Sequence, residues 1–186
     1  MNGAAHGGWW RRNRWGLAAL IPALVAASAV DVGDAYHRLW KSQPRRPVTP
    51  SADGWVSFAG GRVRLGELAP ATDLGDRDGG SFAAPAGVRV WRAEIVFDTG
   101  ARDAFDGCRL LLEDAAGRTF DAGPAELRGA RIPYASCVAP RTPPPAAGST
   151  TFQTMAYFAL PASARPVAVR LMLLKQLPAY ARLSGS

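Results

Sequence analysis

The chain has 186 residues, 48% of them hydrophobic and 20% charged, with two Cys and a formal net charge of +7. That length holds one ordinary domain and an appendage, and the apolar share excludes wholesale disorder. Two thiols exclude a disulfide-dense mini-protein and an all-Cys zinc site. The charge is unevenly spread. Residues 1–50 carry seven Arg or Lys against two Asp, residues 51–126 eight against thirteen acidic residues, and residues 127–186 seven against none. No nucleic-acid partner is expected, because phosphate tracking needs one concentrated basic face.

The first element is an apolar run, WGLAALIPALVAASAV at 15–30, sixteen residues without a formal charge. Arg11, Arg12 and Arg14 precede it among Trp9, Trp10 and Trp15, and Asp31, Asp34, Tyr36 and Trp40 follow it. Cationic and aromatic rims of this kind hold a segment in a bilayer with its N-terminus inside. The expected organisation is a basic cytoplasmic tail at 1–14, a transmembrane signal anchor at 15–36 and lipid as the partner of that helix. Sixteen helical residues rise only about 24 Å against a hydrocarbon core of ~30 Å. A second reading is therefore a secretory signal peptide cut near Ala29, after the A-x-A-like Ala27-Ser28-Ala29. A buried helix of a soluble domain is the third.

Residues 37–54 read as a Pro-rich linker, extended and without apolar periodicity. From 55 to 186 the pattern is short runs broken by Gly, Pro and Asp. WVSF and RVRLGEL are joined at Ala59-Gly60-Gly61, and Val63 and Leu65 alternate with arginines, as in a hairpin with one solvated face. GVRVWRAEIVFD at 87–98 puts Trp91, Ala93, Ile95 and Phe97 on one face. CRLLLED and RTFDAG flank a turn at 115–117. FQTMAYFAL at 152–160 and VAVRLMLLKQ at 167–176 are the last strands. Seven to nine strands without a helix after residue 40 predict an all-β, antiparallel β-sandwich.

The long alternating strand, the strand–DAAGR–strand hairpin, the Pro-rich loop at 138–150, the Phe158-Ala159-Leu160-Pro161 step and the closing RPVAVRL make up a pattern over residues 55–176. It resembles the telokin-like, immunoglobulin-type extracytoplasmic domains of small actinobacterial membrane-anchored proteins. The resemblance implies an immunoglobulin-like sandwich outside the membrane with no general enzymatic role. The chain departs from the lipoprotein members in lacking a Cys after its apolar run, so lipid attachment is not implied.

Residue chemistry points away from catalysis. His6 and His37 lie outside the β-rich region, which removes Ser-His-Asp and Cys-His arrangements and His-based metal sites. Cys108 and Cys137 are expected to form a bridge in an oxidising compartment, with two reduced core thiols as the alternative. Asp73, Asp76 and Asp78, set among Gly75, Gly79 and Gly80, are calcium candidates, although their spacing is not that of an EF-hand loop; solvated turns are the plainer reading. Asp98, Asp103 and Asp106 form a second acidic turn. Glu67, Glu94 and Glu113 fall on strands, where surface pairing is expected. Arg170 and Lys175 are expected on one strand facing opposite sides, so that one of them meets an acidic residue of the middle segment. The remaining arginines of 127–186 are candidates for contact with anionic headgroups or an acidic partner.

No catalytic residue, cofactor or metal is assigned. The function expected is that of a non-enzymatic binding or accessory module at the cell envelope, with an envelope protein as partner. The alternatives are a carboxylate-dependent hydrolase and a structural subunit of a membrane complex.

Overall fold

The computed structural model describes residues 7–101, 103–140 and 150–185, apart from some side chains within the N-terminal helix. The chain divides into two units, Met1–Gln43 and Pro44–Ser186. The first is one helix, α1 (Gly7–Lys41), with Pro22 inside it. Its end is capped by the Ser42 hydroxyl donating to the Leu39 carbonyl at 3.0 Å, which satisfies one of the terminal acceptors. The large apolar side chains Leu20, Ile21, Leu24 and Val25 are exposed.

The expected signal anchor at 15–36 is not supported. Among the described residues no helix is long and apolar enough to cross a membrane. The physical reason lies in the length of the uncharged run. It stops at Val30, about 24 Å along the axis, whereas the helix continues through Asp31 and Asp34 to Lys41.

The second unit is a two-sheet sandwich. Its strands are β1 (Arg46–Val48), β2 (Val56–Phe58), β3 (Gly61–Pro70), β4 (Val88–Asp98), β5 (Arg109–Asp114), β6 (Thr119–Asp121), β7 (Thr151–Pro161), β8 (Pro166–Met172) and β9 (Ala179–Leu183). One sheet has the order β1-β9-β8-β5-β6 and the other β2-β3-β4-β7. Among the described residues the strand pairings are antiparallel apart from one, the parallel pair β1–β9. The expected all-antiparallel arrangement thus fails at this edge. The linker expected over 37–54 is also shorter than its sequence promised, because α1 takes its start and β1 takes Arg46–Val48.

Alternation sets the core. Ala93, Ile95 and Phe97 of β4 face Leu110 and Leu112 of β5 and Val169 and Leu171 of β8 across the sandwich, with Phe158 and Leu160 of β7 beside them. Phe97 stacks on Phe152 at 4.8 Å and meets Phe105 edge-on at 5.1 Å. Each such buried side chain contributes roughly 1.5–3 kcal/mol. The β2–β3 hairpin turns on Ala59 and Gly60, both with positive φ (53° and 82°), as a two-residue turn matched to strand twist requires. Gly61 follows because a Cβ there would meet the Phe105 ring at 2.8 Å. Lys175, expected on the last long strand, instead lies on a short 3-10 turn, Leu174–Gln176.

A second, smaller cluster covers the outward face of the four-stranded sheet. Val90, Leu127 and Ala130 are buried there, with Leu74, Phe82, Ile132 and Tyr157 packed on them. The loops between β3 and β4 and after β6 supply the cover, so they are packed walls of the domain.

Candidate functional site

Those two loops also build a groove. The chain leaves β6 through Gly123, whose φ of 63° is open to glycine and whose N–H donates to the Tyr157 carbonyl at 2.8 Å. Pro124 then starts a 3-10 turn, Ala125–Leu127. The N–H groups of Leu127, Arg128 and Ala130 donate to the carbonyls of Pro124, Ala125 and Leu127 at 3.1, 3.1 and 2.9 Å. Leu127 plugs the small cluster, which leaves Arg128 exposed at the rim.

The other wall is the acidic loop. Asp76 accepts from the Asp78 and Gly80 N–H groups through Oδ1 at 2.9 and 2.6 Å. A Cβ on Gly80 would lie 2.7 Å from Asp76 Oδ2, so a larger residue there would displace that carboxylate. This turn is then stitched to the first wall: the Arg77 N–H donates to the Gly129 carbonyl at 3.2 Å, and the Arg131 N–H to the Gly75 carbonyl at 2.7 Å. Arg77 and Arg128 therefore arrive on two directly bonded backbones.

The resulting groove has a volume of about 560 Å³. Arg77, Arg109 and Arg128 border it, with Tyr134 and Tyr157, over an apolar floor that includes Leu110, Leu127 and Ile132. Tyr134 is 91% exposed. The bridge between Cys108 and Cys137 forms as expected, with Cα atoms 6.1 Å apart, and Cys108 lines the groove. Arg109 makes a two-pronged pair with Asp121, Nε to Oδ1 at 2.7 Å and Nη2 to Oδ2 at 2.9 Å. Hydrogen bonding to that carboxylate, then its charge, raises the guanidinium pKa further. Arg77 and Arg128 pair with no carboxylate among the described residues.

The calcium candidates are not brought together as ligands. Asp76 spends Oδ1 on two backbone N–H groups, Asp73 accepts from the Thr72 hydroxyl at 3.2 Å, and Asp78 is exposed. Among the described residues no group of three or more His, Cys, Asp or Glu could hold a metal ion. The second acidic turn is divided in use: Asp98 pairs with Arg62 and accepts from the Thr150 hydroxyl at 2.6 Å, and Asp106 accepts from the Gly107 N–H. The Thr150 bond, then Arg62, holds the Asp98 carboxyl below its ordinary value.

The strand glutamates follow the expected pairing in part. Glu67 pairs with Arg92 at 2.7 Å. Glu113 is more heavily engaged, accepting from Arg170 Nε at 2.9 Å and from Arg182 Nε and Nη2 at 3.0 and 3.3 Å. Of Arg170 and Lys175, it is thus Arg170 that meets the acidic middle segment. The Arg170 guanidinium also lies 5.2 Å from the centre of the Tyr180 ring. Burial pushes the Glu113 carboxyl up, but its hydrogen bonds from both arginines outweigh burial and hold it below the ordinary value. Asp114 locks the β5–β6 hairpin, accepting from the Ala116 and Arg118 N–H groups and from the Arg118 guanidinium. Arg141 lies outside the described residues.

The groove was not assembled by sequence reasoning, because its walls come from four separate segments. The available signal was Leu74, Phe82, Leu127 and Ile132, apolar residues set singly in Gly- and Pro-rich stretches.

No protein-family model matches the chain, and no curated protein matches it. Two solved structures are similar to it. One is MPT63, a secreted protein from Mycobacterium tuberculosis, 11% identical with a TM-score of 0.42 over 73% of this chain and 97% of that one. The other is an uncharacterized β-sandwich protein from Clostridium difficile, 8% identical with a TM-score of 0.39 over 76% and 96%. Neither is described as a telokin or immunoglobulin-family protein.

Proposed function

We propose that the sandwich is an exported, non-enzymatic binding module of the cell envelope, of the immunoglobulin-like type. The groove bordered by Arg77, Arg109, Arg128 and Tyr134 is the observation that carries this reading. It offers donors and an aromatic ring, with neither a nucleophile–base pair nor a free pair of carboxylates. Asp121, the carboxylate on its lining, is spent on Arg109. Four of the carboxylates a hydrolase could draw on, Glu67, Asp98, Glu113 and Asp114, are engaged by arginines, which counts against the hydrolase reading.

Export is supported by the Cys108–Cys137 bridge, which persists in oxidising compartments. The run at 15–30 acts in this reading as a leader cut after Ala29. N-terminal sequencing of the mature protein is expected to begin at Val30, and full-length protein retained in washed membranes would restore the anchor. The purified chain is expected to bind isolated envelope saturably and to turn over neither soluble glycans nor esters. Turnover abolished by an Asp or Glu substitution would overturn the binding-module reading.

A further inference from the structure

The groove carries a more specific chemistry. We infer that it takes a small ring-bearing anion, with a carboxylate or phosphate held by Arg77 and Arg128 and the ring laid against Tyr134. This rests on the binding-module reading and names its ligand class.

The argument begins with charge. Three guanidinium groups line the groove, and Asp121 neutralises Arg109 through both of its oxygens. The positive charge left over belongs to Arg77 and Arg128. The Arg77 N–H donates to the carbonyl of Gly129, the residue after Arg128, so the two side chains start from adjoining backbones and both line the groove. A planar fork of donors suits carboxylate and phosphate oxygens, and two forks at one place suit an anion better than a lone surface arginine does.

The second strand of the argument is shape. Tyr134 presents almost its whole surface at the rim, where burial in the protein does not explain a large aromatic side chain. It follows Pro133, and Pro124, on the same loop after β6, lines the groove as well. With φ fixed at both prolines and Cys137, three residues beyond Tyr134, bridged to Cys108, the backbone carrying these side chains is braced before a ligand arrives, which lowers part of the entropy cost of binding. Its volume falls within the range of small-molecule sites, roughly 300–1,000 Å³.

The test uses the full chain in a non-ionic detergent at low salt, read by backbone amide NMR during titration. Phenyl phosphate and phenylacetate are the charged probes, and benzyl alcohol is the neutral one. Shifts are expected at 75–78 and 123–134, with at least tenfold weaker binding of benzyl alcohol, and the stronger of the two anions identifies the headgroup. The double variant Arg77→Gln/Arg128→Gln should weaken both anions at least tenfold, Tyr134→Ala severalfold, and Arg165→Gln, an exposed arginine elsewhere, less than twofold. Benzyl alcohol binding as tightly as the anions would overturn the anion assignment and leave the groove as a binding site. Absence of shifts with all three probes would remove the groove as the site, while saturable binding to envelope would keep the broader module reading. Equal losses in the Arg165 variant would show nonspecific charge attraction and also overturn the proposal.

Discussion

At Glu113 the sandwich brings two guanidinium groups to one carboxylate; at the groove Asp121 answers Arg109 alone, and Arg77 and Arg128 pair with no carboxylate among the described residues. The first cluster sits on β5, β8 and β9, where Arg170 and Glu113 keep only 19% and 12% of their side-chain surface. Such a site is a structural device, since withdrawn charges stay only where hydrogen bonds offset their desolvation. The second cluster stands on loops, open to water, where an unpaired cation costs little and remains available to a ligand. Pairing thus separates arginines that hold this fold from arginines on offer.

That separation can be broken most forcefully at the bridge beside the groove. Cys108→Ser/Cys137→Ser is expected to lower stability by about 3.6 kcal/mol, from the entropy of a loop spanning 29 positions, as measured by urea unfolding. Amide exchange should accelerate first at 132–138 and leave β8 and β9 protected. Uniform acceleration would show that the groove wall is not a separate region.

Glu113→Ala is expected to cost about 2 kcal/mol, below the usual figure for a fully buried pair because all three side chains keep some exposure. Thermal or urea unfolding checks it, and a loss under about 0.5 kcal/mol would place Glu113 with ordinary surface pairs. Its pH dependence sharpens the point. The folded-state pKa of Glu113 lies below its ordinary 4.5, so its stabilisation is complete above that value and fades as pH falls through the lower folded-state value. Wild type and Glu113→Gln should therefore differ in stability at neutral pH and converge in acid. The smallest effect is expected at the groove: Arg77→Gln and Arg128→Gln should each change stability by no more than about 0.5 kcal/mol. A larger loss in unfolding measurements would make them structural residues.

The hairpins were readable in the chain because local chemistry decides them. Ala59-Gly60 between alternating runs fixes β2 and β3, and Asp114-Ala115-Ala116-Gly117-Arg118 closes on itself through the Asp114 carboxylate. Pairings decided by distant partners were not readable. β1 is three residues of a Pro-rich stretch with no period of its own, and it becomes a strand through its register with Ala179, Tyr180 and Ala181. In β9, Ala179, Ala181 and Leu183 do alternate inward, but five residues are too short a run to stand out. The acidic loop looked like a solvated turn because Asp76 is exactly such a turn in its own hydrogen bonds. Its other role, bonding the Arg77 backbone to the loop that carries Arg128, depends on Gly129, more than fifty positions along the chain.

The parallel pairing of β1 with β9 imposes a timetable on synthesis. Arg46 must wait for Ala179, a separation of roughly 130 residues, among the slowest kinds of contact to close. While the ribosome is still adding β7 and β8, the first strand has no edge to join, and the five-stranded sheet stays short of its full width. A nascent chain of this design keeps that edge of its five-stranded sheet open until β9 emerges.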